Sequence, residues 1–286
     1  MLSENNIINV LSATALLLIA SPCTSFQARS YRVPVTSTTK SLAMTLSLEQ
    51  QKLKSDLVTL ASSTRRGFAA SKKDRDRAKT IINELSQLSP TETPAAAYYT
   101  SSTDAKPTDD AAVPSLAGKW TLIYTDAPDI TSLDAPFSIQ KLGRIGQECT
   151  PPIIKNVIEW KRPDWASALP LSGNEDSVIL QKVVTEGSST PSSKSTVNLK
   201  IVGLEVTGAN SNDAQSRIES NRVVNNALYN GPASFFEDNP IKLQGPLKGP
   251  FGKFDIMYLD EDMRITKTNQ GYFAVNVRQE KENEWF

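Results

Sequence analysis

LAGKWTLIYT, residues 116–125, is where the chain changes its period. Before it, apolar residues recur at helical spacing. From it onward they recur at every second position. In an extended segment Trp120, Leu122 and Tyr124 share one face, and Thr121, Ile123 and Thr125 share the other. The same alternation runs through 136–143, 153–160, 177–186, 195–206, 217–224, 253–260, 263–268 and 272–279. Pro, Gly, Asn and Ser punctuate the gaps, as in PLSGNED, EGSSTPSS and TGANSND. Sequential strands with short connections pair with their neighbours, so the pattern predicts a mainly β fold, an antiparallel barrel or sandwich. Closure into a barrel would also remove the exposed edges of so large a sheet.

Working outward toward the N-terminus, two helices precede the strands. In 47–63, Ser47 and Gln50 have the spacing of a capping box, and Leu53, Leu57 and Leu60 lie on one face. In 71–88, Ser71 and Asp74 repeat that spacing, Ala78, Ile81, Ile82, Leu85 and Leu88 form a stripe, and Pro90 stops the helix. Neither stripe is wide enough for a bundle alone, so the pair must pack on something else. Between them Gly67 permits a tight turn, and Arg65 and Arg66 read as a solvated helix end. Residues 90–115, rich in Pro, Ala, Ser, Thr and Asp, read as a linker. The Pro/Gly-rich stretch 235–252 reads as a loop. It is no phosphate cradle, because Pro246 and Pro250 lack the N–H groups a phosphate would need.

The first 46 residues read as an address. Residues 7–20 are apolar but short for a membrane span, and Cys23 and Ser25 are small residues placed for cleavage after Ser25. Residues 26–46 carry Arg29, Arg32 and Lys40, many hydroxyls and no acid, as a plastid transit peptide does. With Phe26 at the junction, this resembles the bipartite leader of complex plastids. The expected organisation is therefore signal peptide 1–25, transit peptide 26–46, helical pair 47–89, linker 90–115 and barrel 116–280.

Composition narrows the chemistry. Lys plus Arg and Asp plus Glu number 31 each, so no global field recruits nucleic acid. The chain has no His, which removes His-based triads, His-ligated metals and the usual proton shuttle at neutral pH. Cys149 is the one cysteine outside the leader, so there is neither a disulfide framework nor a CxxC metal site, and it reads as a core or strand-end thiol. Asp260, Glu261 and Asp262 concentrate carboxylates, but they sit where a hairpin turn is expected. No catalytic residue, metal ligand or cofactor motif emerges. A barrel of about eight strands is just filled by side chains or holds one small ligand.

Gly118-Lys119-Trp120 matches the Gly-x-Trp signature of lipocalins. Together with residues 64–90, LGRIGQ, NVIEW and the hairpin GPFGKFDIMYLDEDMRITKTNQGYFAVNVR, it resembles the plastid lipid-associated protein family, the fibrillins or plastoglobulins. The resemblance spans about residues 53–278. It implies a lipocalin-like β-barrel behind two short helices, and a non-enzymatic protein of plastoglobules, thylakoid-associated lipid or stroma. Implied partners are small apolar molecules (a carotenoid, quinone, tocopherol or fatty acid) or a lipid particle or thylakoid surface. On alternation, Trp120, Leu122, Tyr124, Phe254, Ile256 and Tyr258 are expected to line or floor an oily lumen, with Arg264 or Arg278 as a polar anchor. A structural coat with a filled barrel is the alternative. An enzyme using residues 260–262 on an oxygenated carotenoid is a remoter one.

Overall fold

The structure, a computed structural model, describes residues 38–99, 115–134, 140–164, 177–210, 231–245, 252–281 and 284–286. The signal segment, most of the transit segment and the strand expected at 217–224 lie outside them. Helices α1 (Thr38–Ser63) and α2 (Lys72–Gln87) come first. Then follow strands β1 (Gly118–Thr125), β2 (Lys141–Thr150), β3 (Ile153–Lys161), β4 (Ser177–Ser188) and β5 (Thr196–Asn210). A short helix, α3 (Pro128–Thr131), lies between β1 and β2. Helix α4 (Gly231–Asp238) and strands β6 (Ile241–Gln244), β7 (Gly252–Leu259), β8 (Met263–Thr268) and β9 (Phe273–Arg278) complete the order.

All nine strands form one antiparallel sheet in the order β4-β3-β2-β1-β9-β8-β7-β5-β6, and a further β4–β5 ladder closes eight of them into a barrel. Strand β5 is long because it serves two partners on one edge. Its start, Thr196–Leu199, pairs with β7, and Gly203–Val206 pairs with β6. Closure leaves no edge on the eight-stranded ring.

Both helices lie outside the barrel, since an eight-stranded ring has room inside only for side chains or a small ligand. Leu53, Leu57 and Leu60 of α1 and Ala78, Ile81, Ile82 and Leu85 of α2 form one buried cluster with Tyr124, Tyr258, Met263, Ile265, Phe273 and Val275. That contact fixes which sheet face is which. Met263, Ile265, Phe273 and Val275 point outward, and their alternates Arg264, Thr266, Ala274 and Asn276 point into the lumen.

Helix α2 starts where its capping box places it: Ser71 accepts from the Asp74 amide, and the Asp74 carboxylate accepts from the Ser71 amide at 2.9 Å. Helix α1 differs from expectation, beginning at Thr38 rather than at Ser47. The segment 38–46 holds Lys, Leu, Ala and Met without Gly or Pro, so nothing in it stops a helix, and a Ser-x-x-Gln spacing marks a start only where the backbone is non-helical. The first strand after β1 also differs: β2 runs on over 141–150, past the end expected at 143, while 136–139 of the expected strand lie outside the described residues. Two glycines obscure its alternation, and Gly143 is needed because a Cβ there would sit 2.3 Å from the buried Glu159 carboxylate. The stretch read as a loop at 235–252 contains the end of α4 and all of β6.

The α1–α2 turn is clamped onto the barrel. Arg65, Arg66 and Gly67 all have positive φ, the Thr125 amide donates to the Arg66 carbonyl at 3.1 Å, and Arg66 Nη1 donates to the Gly143 carbonyl at 2.8 Å. Arg65 pairs with Asp134 at 2.8 Å. The two arginines are therefore turn and docking residues. Residues 90–99, the first part of the expected linker, cross the closed end of the barrel. Thr91 Oγ1 donates to the Leu259 carbonyl, the Ala95 amide to the Lys194 carbonyl and the Ser189 amide to the Tyr98 carbonyl.

Candidate functional site

Closure of the eight strands gives the fold a lumen, and its floor is built around Trp120. Strand β1 turns the indole inward. There it is fully buried with Ala95, Tyr98, Leu116, Cys149, Ile154, Val197, Phe254, Ile256 and Leu259. Its Nε1 donates to the Leu116 carbonyl at 3.0 Å, closing the turn that leads into β1. Two guanidinium groups lie over the ring, Arg278 at 4.1 Å and Arg264 at 4.9 Å from its centroid.

These two arginines differ in what they hold. Arg278 donates to the carbonyls of Ala117 at 2.7 Å, Ser115 at 2.6 Å and Glu261, sewing the start of β1 to the β7–β8 turn. It also lies against Gly118, whose φ of +129° and missing Cβ give it room. Burial lowers its pKa, and the neighbouring Arg264 lowers it further. Arg264 is 1 % exposed. Its Nη1 reaches the Cys149 sulfur at 3.3 Å, and its Nε has no hydrogen-bond partner. The Tyr98 hydroxyl, beside the same thiol, is likewise buried without a partner; burial first and Cys149 second raise its pKa.

Above the floor the wall is mixed rather than oily. Leu122, Leu142, Ile145 and Ile158 form an apolar cluster, and Phe68, Ile130, Leu133, Trp160 and Ala274 pack against it. The inner face also carries amides. Gln147 Nε2 donates to Asn156 Oδ1 at 2.6 Å, Trp160 Nε1 donates to Gln181 Oε1 at 2.9 Å, and Asn276 and Thr266 are buried on the inner face of β9 and β8. Gln147, Asn156, Trp160 and Val183 face inward yet keep partial exposure, so the lumen is not packed solid. At the far end α4 lies over Gly208, where a Cβ would sit 1.6 Å from the Ala233 carbonyl oxygen.

Of the six residues expected in the lumen, the structure brings Trp120, Leu122, Phe254 and Ile256 together on the inner face. Tyr124 and Tyr258 are placed on the outside, under the helices. The reason is a pair of bulges, one between Leu122 and Tyr124 against β9 and one between Ile256 and Tyr258 against β8. Each inserts one residue and turns the next side chain to the opposite face. Both possible anchors, Arg264 and Arg278, lie at the floor. Sequence reading missed Tyr98, Gln147, Asn156 and Asn276. The signal was present in part: in IIKNVIEW, Asn156 alternates with Ile154, Ile158 and Trp160.

The acidic triplet lies outside the lumen. It forms the β7–β8 turn, where Asp260 Oδ1 accepts from the Met263 amide at 2.7 Å. Lys54 of α1 reaches Asp260 at 2.8 Å and Asp262 at 3.0 Å. Tyr258 donates to Asp260 and accepts from Gln50. Burial pushes the Asp260 pKa up, but the Lys54 and Tyr258 hydrogen bonds more than offset it and hold the carboxyl below its ordinary value. Two of the three carboxylates thus clamp a helix. Among the described residues, no cluster of three or more His, Cys, Asp or Glu side chains is arranged to hold a metal ion.

A model of the family described as PAP_fibrillin matches residues 51–276, from within α1 to within β9. No curated protein and no solved structure matches the chain. With half of α1, all of α2 and the barrel strands into β9 inside the matched span, the chain belongs to the PAP/fibrillin family of plastid lipid-associated proteins.

Proposed function

We propose that this is a non-catalytic plastid protein that holds one small hydrophobic molecule, a carotenoid, quinone, tocopherol or fatty acid, in its barrel. The observation that carries the reading is the partial exposure of inward-facing Gln147, Asn156, Trp160 and Val183 above a sealed floor. Ligand hydrocarbon laid against Leu122, Ile145, Ile158 and Trp160 would contribute roughly 25 cal/mol per Å² buried. The amides would orient any oxygen the ligand carries. The absence of His supports a binding role over a catalytic one, as does the use of Asp260 and Asp262 in clamping Lys54. The bipartite leader fits delivery to a complex plastid, with plastoglobule, thylakoid-associated lipid or stroma as the destination.

Trp160 faces the lumen, so its fluorescence is the direct test. Titration with members of the four ligand classes should quench it and raise the melting temperature for at least one. If none does either, the carrier reading fails. A coat on lipid particles is the second reading, favoured by the exposed apolar side chains of Phe235, Ile241 and Leu243 on α4 and β6. Flotation of fractionated plastids separates the two, because a coat must travel with lipid.

A further inference from the structure

The inner wall of the barrel is electrically one-sided. Strand register gives a face to the paired residues of the described strands, Arg144 at a β2 bulge is placed outside by its pair with Glu159, and the charged side chains that fall inward are Arg264 and Arg278. The acids of the sheet, Glu148, Glu159, Glu186, Glu205 and Asp255, all take outward positions. No carboxylate carried by the described strands therefore faces the lumen. Arg278 is accounted for by its three backbone carbonyls. Arg264 is not. It is 1 % exposed, forms no ion pair with a described residue, touches a thiol and leaves Nε without a partner.

A guanidinium buried without an acid is a large desolvation cost, and an apolar chain of similar volume would fill the space without it. A second cation over the same indole raises the cost; burial first and Arg264 second lower the Arg278 pKa. The Tyr98 hydroxyl at the same floor is buried against the Cys149 thiol and has no oxygen or nitrogen partner. Two donors and a net positive charge at the bottom of a lumen whose described strands turn no acid inward call for a compact anion.

We propose that the floor binds the carboxylate head of a fatty-acid-like amphiphile, with Arg264 as counter-ion, the Tyr98 hydroxyl as second donor and the hydrocarbon tail running up the lumen. The assignment deepens the carrier reading and rests on it. A carboxylate supplies one negative charge, whereas a phosphate monoester carries nearly two at neutral pH. Arg278 is held by its three backbone carbonyls, so Arg264 alone would face that second charge directly, and the bulkier tetrahedral group would have to enter among Ile154, Leu259 and Trp120, each fully buried. Charge-assisted bonds to a planar guanidinium suit a planar carboxylate.

The test compares palmitate, methyl palmitate and hexadecyl phosphate by quenching of tryptophan fluorescence in the full chain. Palmitate should bind about tenfold more tightly than its ester, as one desolvated charge-assisted contact implies. Arg264→Met should abolish that preference while ester affinity stays within about twofold, because the tail contacts are untouched. Tyr98→Phe, which keeps the ring, should reduce the preference by about threefold and serves if the Arg264 variant does not fold. Equal affinity of the wild-type chain for acid and ester overturns the proposal but leaves the lumen as a carrier. Tighter binding of the phosphate overturns the carboxylate assignment. Binding of none of the three removes a fatty-acid-like ligand altogether, whatever the other hydrophobic classes do.

Discussion

At the scale of single residues, the floor depends on Trp120. Its indole touches both guanidiniums, and its Nε1–H fixes the Leu116 carbonyl, so Trp120→Ala removes ring volume, two cation–π contacts and one hydrogen bond together. The expected loss is about 3–5 kcal/mol in urea unfolding, as for other buried aromatics cut to alanine. A loss below about 1 kcal/mol would mean that the floor is not packed as described. Tyr124 gives the opposite expectation. Its hydroxyl is buried without a partner, and burial pushes its pKa up to about 12. Tyr124→Phe removes an unsatisfied polar atom and keeps the ring, so stability should hold or rise by up to about 1 kcal/mol. A clear destabilisation would reveal a bond to that oxygen.

Elements are joined by small polar clamps as much as by apolar faces. Lys54, Asp260 and Asp262 tie α1 to the β7–β8 turn across more than 200 residues of chain. Asp260 has a folded pKa below the ordinary 3.8, so its contribution is complete above that value and is lost as pH falls through the folded pKa. Burial pulls the Lys54 pKa down, but its two carboxylate partners raise it above 10.5 overall, so its contribution is complete below 10.5 and lost as pH rises beyond the folded value. The stability gap between wild type and Asp260→Asn should therefore be flat from about pH 5 to 9 and narrow below about pH 4. A gap independent of acid would exclude the clamp. The α1–α2 turn is less tolerant still. Gly67 has a φ of +92°, and a Cβ there would lie 2.0 Å from the Thr125 carbonyl oxygen. Gly67→Ala should cost about 2 kcal/mol or more, read as a lower urea midpoint, with the α1–α2 amides exchanging first.

Across the whole molecule, the two faces of the sheet have exchanged their usual characters on β8 and β9. Met263, Ile265, Phe273 and Val275 lie on the outer wall because two helices cover it, while Arg264, Thr266 and Asn276 face the lumen. The helices are thus part of the core rather than an appendage. A chain lacking residues 38–89 should lose its cooperative thermal transition and bind a hydrophobic dye, since the outer cluster would be left in water. A sharp transition in that truncated chain would show that the barrel stands alone.

Local pattern was enough for the elements that local chemistry decides. The period change at Leu116, the capping box at Ser71 and the hairpin through residues 260–262 were all readable, because each rests on residues within a few positions of one another. The sequence also placed Trp120 and Arg264 on facing-competent strands. What it could not decide was which face of each strand is inside. Alternation defines two faces without naming either, and here the naming was done by helices that pack from far away in the chain. Nor could it reveal the bulges after Leu122 and Ile256, which turned Tyr124 and Tyr258 outward, since a bulge is a register between two strands and no single strand records it. The buried Arg264 guanidinium at the floor is of the same kind: its charge is written in the sequence, but that the acids of the described strands all lie on the other face emerges only from the tertiary structure.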